Sequence, residues 1–226
     1  MKKRLAAIDL FCGAGGLTHG FILEGIEVSA GFDLDSACKF PYEFNNKAKF
    51  IDKDIREVSG KEIEPLYPKN CYRLLAGCAP CQPFSTYYRK NDKTKDEKWA
   101  LLYEFARLVQ ELKPDIVSME NVPRIEKQEV FKDFKITLNK LGYEVSHKII
   151  FCPDYGIPQT RKRLVLLASK IGKISLIEPD SLRSNHHTVK DAIGHLEPIE
   201  AGRISSSDPL HRSKNLSKLN LKRIES

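Results

Sequence analysis

The residues best suited to chemistry lie between 77 and 85, where GCAPCQPFS places Cys78 and Cys81 in a turn bracketed by Pro80 and Pro83. Three chemistries use such a pair: a metal clamp, a redox couple, or one activated thiol beside a bystander. A structural zinc needs a second pair or histidines at suitable spacing. Cys12, Cys38, Cys71 and Cys152 are scattered, and His186 and His187 are adjacent and far along the chain, so no metal is expected. A thioredoxin-like couple would open a helix, whereas here a second proline and the polar segment RKNDKTKDEK come first. The single-thiol reading remains. The prolines stiffen the turn, Cys81 projects from it, and Cys78 is a small buried filler at a strand end. A thiol with a pKa of about 8.5 is only a few per cent ionised near neutrality, yet its thiolate is a potent nucleophile once oriented.

Partners for that nucleophile stand on either side. In ENV, Glu120 closes an apolar run, where burial would raise its pKa and let it hold or donate a proton. By itself such a glutamate equally serves as a cap or an ion-pair partner. In QTRKR, period-two alternation puts Arg161 and Arg163 on one side of a strand and Lys162 on the other. Two inward arginines need acceptors, and Glu120 with a substrate carbonyl would supply them. Upstream, DLFCGAGG sets Gly13, Gly15 and Gly16 after the first apolar run, where missing side chains let a ligand approach the backbone. The dinucleotide fingerprint fails because Thr18 occupies its third glycine position, so the turn reads as either a cofactor cradle or a structural corner. Asp33, about 20 residues downstream, offers acceptors for ribose hydroxyls. Asp54 could accept from an adenine amine, with Ile55 packing on the ring, although both aspartates also read as plain turn caps.

The elements that must position these residues alternate in period. Strand-length apolar runs such as RLAAIDLF, EVSAGFD, KFIDKDI, YRLLAG and DIVSME are separated by segments of helical spacing such as WALLYEFARLVQELK. That alternation predicts a mostly parallel α/β sheet covered on both faces. Gly25 and Gly142 sit where left-handed helix ends are expected. After Gly142, YEVSHKIIF and RLVLLAS follow one another with a loop and no helix, so these two strands are expected to pair antiparallel. Ligands in such sheets bind beyond the carboxyl ends of the parallel strands, which gathers every residue above at one rim. The 226 residues suffice for one large domain, and the six cysteines, without secretory signals, read as reduced thiols. A net charge of +7 favours a polyanionic partner. No apolar stretch approaches the roughly 20 residues a membrane helix needs, and the first residues do not suit a signal peptide, so an intracellular protein with no membrane partner is expected.

Taken in order, DLFCGAGG, GCAPCQPFS, ENV and QTRKR strongly resemble the first, fourth, sixth and eighth motifs of the cytosine-5 DNA methyltransferases. The likeness runs from about Ile8 to Ser169, with weaker similarity in TVKDAIGHLEPI and DPLHRSKNLSKLNLKRI. The resemblance implies a doubly wound, seven-stranded Rossmann-like sheet that binds S-adenosylmethionine, leaves S-adenosylhomocysteine, and takes a base flipped out of double-stranded DNA. It implies that Cys81 adds to carbon 6 of cytosine so that carbon 5 can accept the methyl group. Glu120 would engage ring nitrogen 3 and the exocyclic amine, Arg163 the carbonyl oxygen, and Arg161 would hold Glu120 in place. The carbonyl of Ala79 would accept from the amine. Gln82, Ser85 and Asn121 complete the substrate side, with Ser85 a phosphate contact. For the cofactor it implies Phe11, Gly13, Ala14, Gly15, Asp33, Leu34, Asp54, Ile55, Pro80 and Leu101. Leu34 departs from an aromatic residue that stacks on adenine in a familiar member.

By this likeness residues 1–172 form the catalytic domain, and 173–226 form a segment leading towards a DNA-recognition region. Neither that region nor the family's ninth and tenth motifs are found in the sequence. A second polypeptide supplying the recognition region and a covering helix beside the Gly13 loop is therefore expected, or else a truncated remnant. The resemblance further implies DNA methylation of the kind found in restriction-modification systems, in a bacterial cytoplasm and near the nucleoid. A transfer-RNA cytosine methyltransferase and a catalytically inert fragment or subunit remain as alternatives.

Overall fold

The computed structural model describes residues 3–80, 100–179, 186–209 and 211–225. Its elements follow in the order β1 (Arg4–Leu10), α1 (Gly16–Leu23), β2 (Glu27–Asp33), α2 (Lys39–Asn46), β3 (Lys49–Asp52), α3 (Gly60–Ile63), β4 (Cys71–Gly77), α4 (Ala100–Leu112), β5 (Ile116–Asn121), α5 (Glu129–Lys140), β6 (Glu144–Phe151), β7 (Lys162–Ser169), α6 (Val189–Ile193) and α7 (Lys218–Glu225). Among the described residues the strands form one seven-stranded sheet ordered β3-β2-β1-β4-β5-β7-β6. The pairs β1/β2, β1/β4, β2/β3 and β4/β5 are parallel. Strand β7 runs antiparallel to both β5 and β6, as its helix-free connection to β6 predicts. Its first residues therefore lie at the same edge as the carboxyl ends of β1, β4 and β5.

Alternation along the strands divides the core. Ala6, Ile8 and Leu10 of β1 enter a large cluster with Leu75, Val117, Met119, Leu164 and Leu166, packed against Phe105 and Leu108 of α4 and Phe131 and Phe134 of α5. Each of these buried large side chains contributes on the order of 2 kcal/mol of apolar transfer. The opposite face holds a smaller cluster in which Ala7, Leu74 and Ala76 meet Val28, Tyr42 and Phe50. Farther across that face Ser118, Val165 and Leu167 are only half-buried.

Helix ends fall where expected. Gly25 and Gly142 have φ of 73° and 83°. Lys113 closes α4 in the left-handed region with φ 46°, and Pro114 then blocks a further turn. The start of β5 is pinned by the Tyr143 hydroxyl donating to the Pro114 carbonyl at 2.5 Å, and by the Asp115 carboxylate accepting from the Arg73 amide at 2.7 Å.

The chain divides into two compact units, Met1–Phe151 with Arg161–Pro179, and Cys152–Thr160 with Asp180–Ser226. The first contains the sheet. In the second, α6 opens on a capping box in which Thr188 accepts from the Asp191 amide at 3.2 Å and the Asp191 carboxylate accepts from the Thr188 amide at 2.8 Å. That unit also holds α7, an antiparallel bridge between Ile204 and Arg212, and a 2.9 Å contact from His186 Nε2 to Asp154. No helix among the described residues is long and apolar enough to cross a membrane.

Candidate active site

The turn after β1 is built on a buried polar pair. Asp9 is 1% exposed, and its Oδ2 accepts from the Thr18 hydroxyl at 2.7 Å, which lies 3.1 Å from the Tyr42 hydroxyl. This explains why Thr18 replaces the third fingerprint glycine: a buried carboxylate needs a donor, and a side chain at the start of α1 supplies one. Asp9 Oδ1 has no partner among the described residues, and burial lifts the Asp9 pKa to about 7. Sequence reasoning missed this pair, although an aspartate inside the apolar run RLAAIDL is a visible signal. Phe11, Gly13 and Gly15 have φ of 59°, 51° and 94°, so the turn winds through left-handed conformations. A Cβ on Gly13 would meet nothing within 4 Å, whereas one on Gly15 would lie 2.2 Å from Asn46 Nδ2. Gly13 thus borders open space with exposed Ala14, and Gly15 is glycine because α2 packs against it.

The ends of β2 and β3 carry the two aspartates. Asp33 Oδ2 accepts from the Gly13 amide at 2.8 Å and Oδ1 from the Asp35 amide at 2.9 Å. Asp33 therefore ties the glycine turn to β2 and still has acceptor capacity on both oxygens. Asp54 differs from expectation. It caps the 3-10 turn Ile55–Glu57 through the Arg56 amide at 3.0 Å, and the Arg56 guanidinium grips both its oxygens at 2.5–3.0 Å. These hydrogen bonds hold its carboxyl below the usual range, and an incoming amine would have to displace part of that fork. Ile55 is 3% exposed within the large cluster, so its side chain is core and only its backbone borders the site. Leu34 is 64% exposed, and Leu101 on α4 is half-buried.

The third group stands where β4, β5 and β7 end. Gly77 pairs with Met119, which makes Cys78 and Glu120 cross-strand neighbours one step on. Glu120 lies opposite Val165, and Arg163 projects on the same face two residues away. Arg163 Nε meets Glu120 Oε1 at 2.6 Å, and its Nη1 donates to the Lys162 carbonyl at 2.8 Å. Burial raises the Glu120 pKa, opposed by a hydrogen bond from the Cys78 thiol and by the charge of Arg161. Burial and then the Glu120 charge push the Cys78 thiol well up. Cys78 is thus half-buried and hydrogen-bonded rather than simple filler.

Two expected roles change with this geometry. Arg163 makes the direct ion pair with Glu120, whereas Arg161, exposed just before β7 starts at Lys162, acts on Glu120 through its charge. Asn121 is 4% exposed and faces no open space. Its Nδ2 donates to the Ala79 carbonyl at 3.1 Å, and its Oδ1 accepts from the Val122 amide at 2.8 Å. It ties the two loops together through the Ala79 carbonyl and the Val122 amide. Pro80 is exposed; Cys81, Gln82 and Ser85 lie outside the described residues. Among the described residues no group of three or more His, Cys, Asp or Glu side chains is placed to hold a metal ion.

Comparison with known proteins shows what this rim belongs to. The family model for C-5 cytosine-specific DNA methylases matches residues 5–223. The chain belongs to that family. It is 51% identical over 223 residues to the type II methylase M.HgiDII of Herpetosiphon aurantiacus, covering 97% of this chain and 62% of that protein. It is 31% identical to the type II methyltransferase M.XorII of Xanthomonas oryzae, covering 88% and 48%. Among solved structures, a prophage-encoded protein of E. coli described as a DNA modification methyltransferase superposes with a TM-score of 0.72 at 26% identity, covering 90% of this chain and 58% of that one. The S. pombe Dnmt2 methyltransferase shares the fold, with a TM-score of 0.63 at 21% identity over 77% and 52% of the two chains. The chain therefore spans about half to three-fifths of the length of these methylases. For a C-5 cytosine methylase, the doubly wound, mostly parallel sheet with an antiparallel strand near one edge is the expected architecture, and it is the one observed.

Proposed function

We propose that this methylase transfers a methyl group to carbon 5 of cytosine in double-stranded DNA, with Cys81 as the nucleophile and S-adenosylmethionine as the donor. The observation that carries the reading is the Glu120–Arg163 pair, 2.6 Å apart at the strand ends and beside the turn that leads into Pro80 and Cys81. A half-buried carboxyl with a raised pKa can hold a proton against ring nitrogen 3 while its partner guanidinium faces the carbonyl oxygen. The Ala79 carbonyl, at the end of the same turn, is an acceptor of the kind the exocyclic amine needs, and thymine lacks that amine. Addition of the Cys81 thiolate at carbon 6 then makes carbon 5 electron-rich, and loss of the carbon 5 proton releases the thiolate.

The residues at β1, β2 and β3 fit the cofactor. Open space over Gly13 admits its amino-acid end against backbone, and the spare acceptor positions of Asp33 suit ribose hydroxyls. The Asp54–Ile55 backbone and Leu101 border the adenine end. When bound, S-adenosylmethionine supplies an electrophilic methyl group; the protein holds it and orients the base. No metal enters this scheme.

The net charge of +7 supports a DNA partner by phosphate attraction. The half-buried side chains Ser118, Val165 and Leu167 support a covering helix over that face, which a second polypeptide would supply with the sequence-reading region. A place beside the bacterial nucleoid, in a restriction-modification pair, accords with relatives named as type II methylases.

The decisive test is adduct formation with DNA containing 5-fluorocytosine in the presence of S-adenosylmethionine, because fluorine blocks the final elimination. A covalent band lost in Cys81→Ser is expected. No band, with or without a candidate partner chain, would establish the inert reading; a band on transfer RNA alone would assign the other substrate. A monodisperse monomer that methylates DNA unaided would remove the need for the second polypeptide.

A further inference from the structure

We infer that Arg107, on α4, is a positioning residue that fixes the backbone bordering the adenine end of the cofactor slot. The inference rests on the cofactor reading above. Arg107 Nη2 donates to the Ile55 carbonyl at 3.0 Å and to the Val58 carbonyl at 2.9 Å. The guanidinium thereby bridges the turn that follows Asp54 to a helix some 50 residues later. Its other nitrogens are held from α4 itself, Nε by Glu104 at 2.6 Å and Nη1 by Glu111 at 2.7 Å. Glu111 adds a second tie, its Oε2 accepting from the Gly60 amide at 2.6 Å.

This is more than a helix needs for stability. An i,i+3 or i,i+4 ion pair on a helix surface is worth only a few tenths of a kcal/mol. Here both carboxylates hold a planar fork at fixed rotation so that its free edge meets two backbone carbonyls. A planar guanidinium can satisfy four acceptors from one position; a lysine ammonium is a point charge with a different reach. The two walls so joined are the ones assigned to adenine. Ile55 and Asp54 stand on one side, and Leu101 stands six residues along α4 on the other, about 9 Å along a rigid helix. The Ile55 side chain is already buried, so the turn presents backbone to the slot, and backbone position is what the Arg107 contacts fix.

The test uses two ligands and the full chain. Dissociation constants for S-adenosylhomocysteine and for S-inosylhomocysteine, which carries hypoxanthine in place of adenine, are measured by calorimetry. Wild type is expected to prefer the adenine compound. In Arg107→Lys the adenine compound is expected to weaken about tenfold, the equivalent of one charge-assisted hydrogen bond, while the hypoxanthine compound changes less than about twofold. The preference therefore collapses. Lys132→Gln, which removes an exposed ion pair on α5 that takes no part in holding the fork, should keep it. General destabilisation would weaken both ligands alike, so an unchanged ratio in a folded Arg107→Lys overturns the positioning role. Should that variant fail to fold, Glu111→Gln loosens the same segment at Gly60, and an unchanged ratio there has the same meaning. A wild type that binds neither ligand, or binds both equally, overturns instead the assignment of the slot to adenine.

Discussion

Replacing Asp9 by Asn should change how stability depends on pH. Asp9 is 1% exposed, with one oxygen on Thr18 and the other without a partner among the described residues, and burial raises its pKa from 3.8 to about 7. A carboxyl whose folded pKa lies above its unfolded value binds its proton more tightly in the folded chain. Stability is then highest at or below about pH 4, falls as pH rises, and levels off above about pH 7. At about 1.4 kcal/mol per unit, the shift corresponds to roughly 4 kcal/mol over that window, of which about 2–3 kcal/mol falls between pH 5 and pH 8. Asparagine can still accept from Thr18, but its amide places an unpaired donor where Oδ1 stands, at a pH-independent cost of about 1–3 kcal/mol. The informative quantity is therefore the difference between the two proteins as a function of pH, in which all other titrations cancel. Urea denaturation followed by far-UV circular dichroism at pH 5, 6, 7 and 8 supplies it. Wild type should lose about 2–3 kcal/mol relative to Asp9→Asn across that range. Parallel curves would show that Asp9 is not held protonated by its surroundings, and the account of the buried pair would fail.

The remaining predictions concern the rim. Arg163→Ala removes the 2.6 Å partner of Glu120 and should lower methyl transfer to DNA by roughly 100-fold in a tritium-transfer assay, whereas Arg161→Ala should cost far less. Asn121→Ala removes the bonds to the Ala79 carbonyl and the Val122 amide, and should lower unfolding free energy in urea by about 1–3 kcal/mol. Gly15→Ala forces a Cβ to 2.2 Å from Asn46 Nδ2 at φ 94° and should reduce the melting temperature by several degrees at ~1–3 kcal/mol of destabilisation. Gly13→Ala meets no neighbour, so it should destabilise less, by about 1 kcal/mol from its positive φ, but should weaken S-adenosylhomocysteine binding in calorimetry. Equal effects of the two glycine substitutions on binding would contradict the assignment of open space to Gly13.

Much of the fold was legible in the sequence because strand alternation and helical period act locally. RLAAIDL, EVSAGFD and YRLLAG read as buried parallel strands, and the missing helix between YEVSHKIIF and RLVLLAS forces an antiparallel pair whatever surrounds it. That same rule places Arg163 at the rim with Glu120. Short elements such as α3 and α6 were not legible, since a four- or five-residue helix is stabilised by its caps and contacts rather than by any period.

The sequence by itself determined the order of strands and helices, the residue types available for thiol chemistry, and membership of a methylase family through four spaced motifs. Only the tertiary structure decided which atoms pair. It gave the Glu120 ion pair to Arg163, made Asn121 a tie between loops, and gave Asp54 to Arg56. It also brought Arg107 to two carbonyls about 50 residues away. The physical reason is that periodicity fixes the face on which a side chain lies, but a hydrogen bond needs distance and direction set to a few tenths of an ångström. Those are fixed by packing between elements that are remote along the chain.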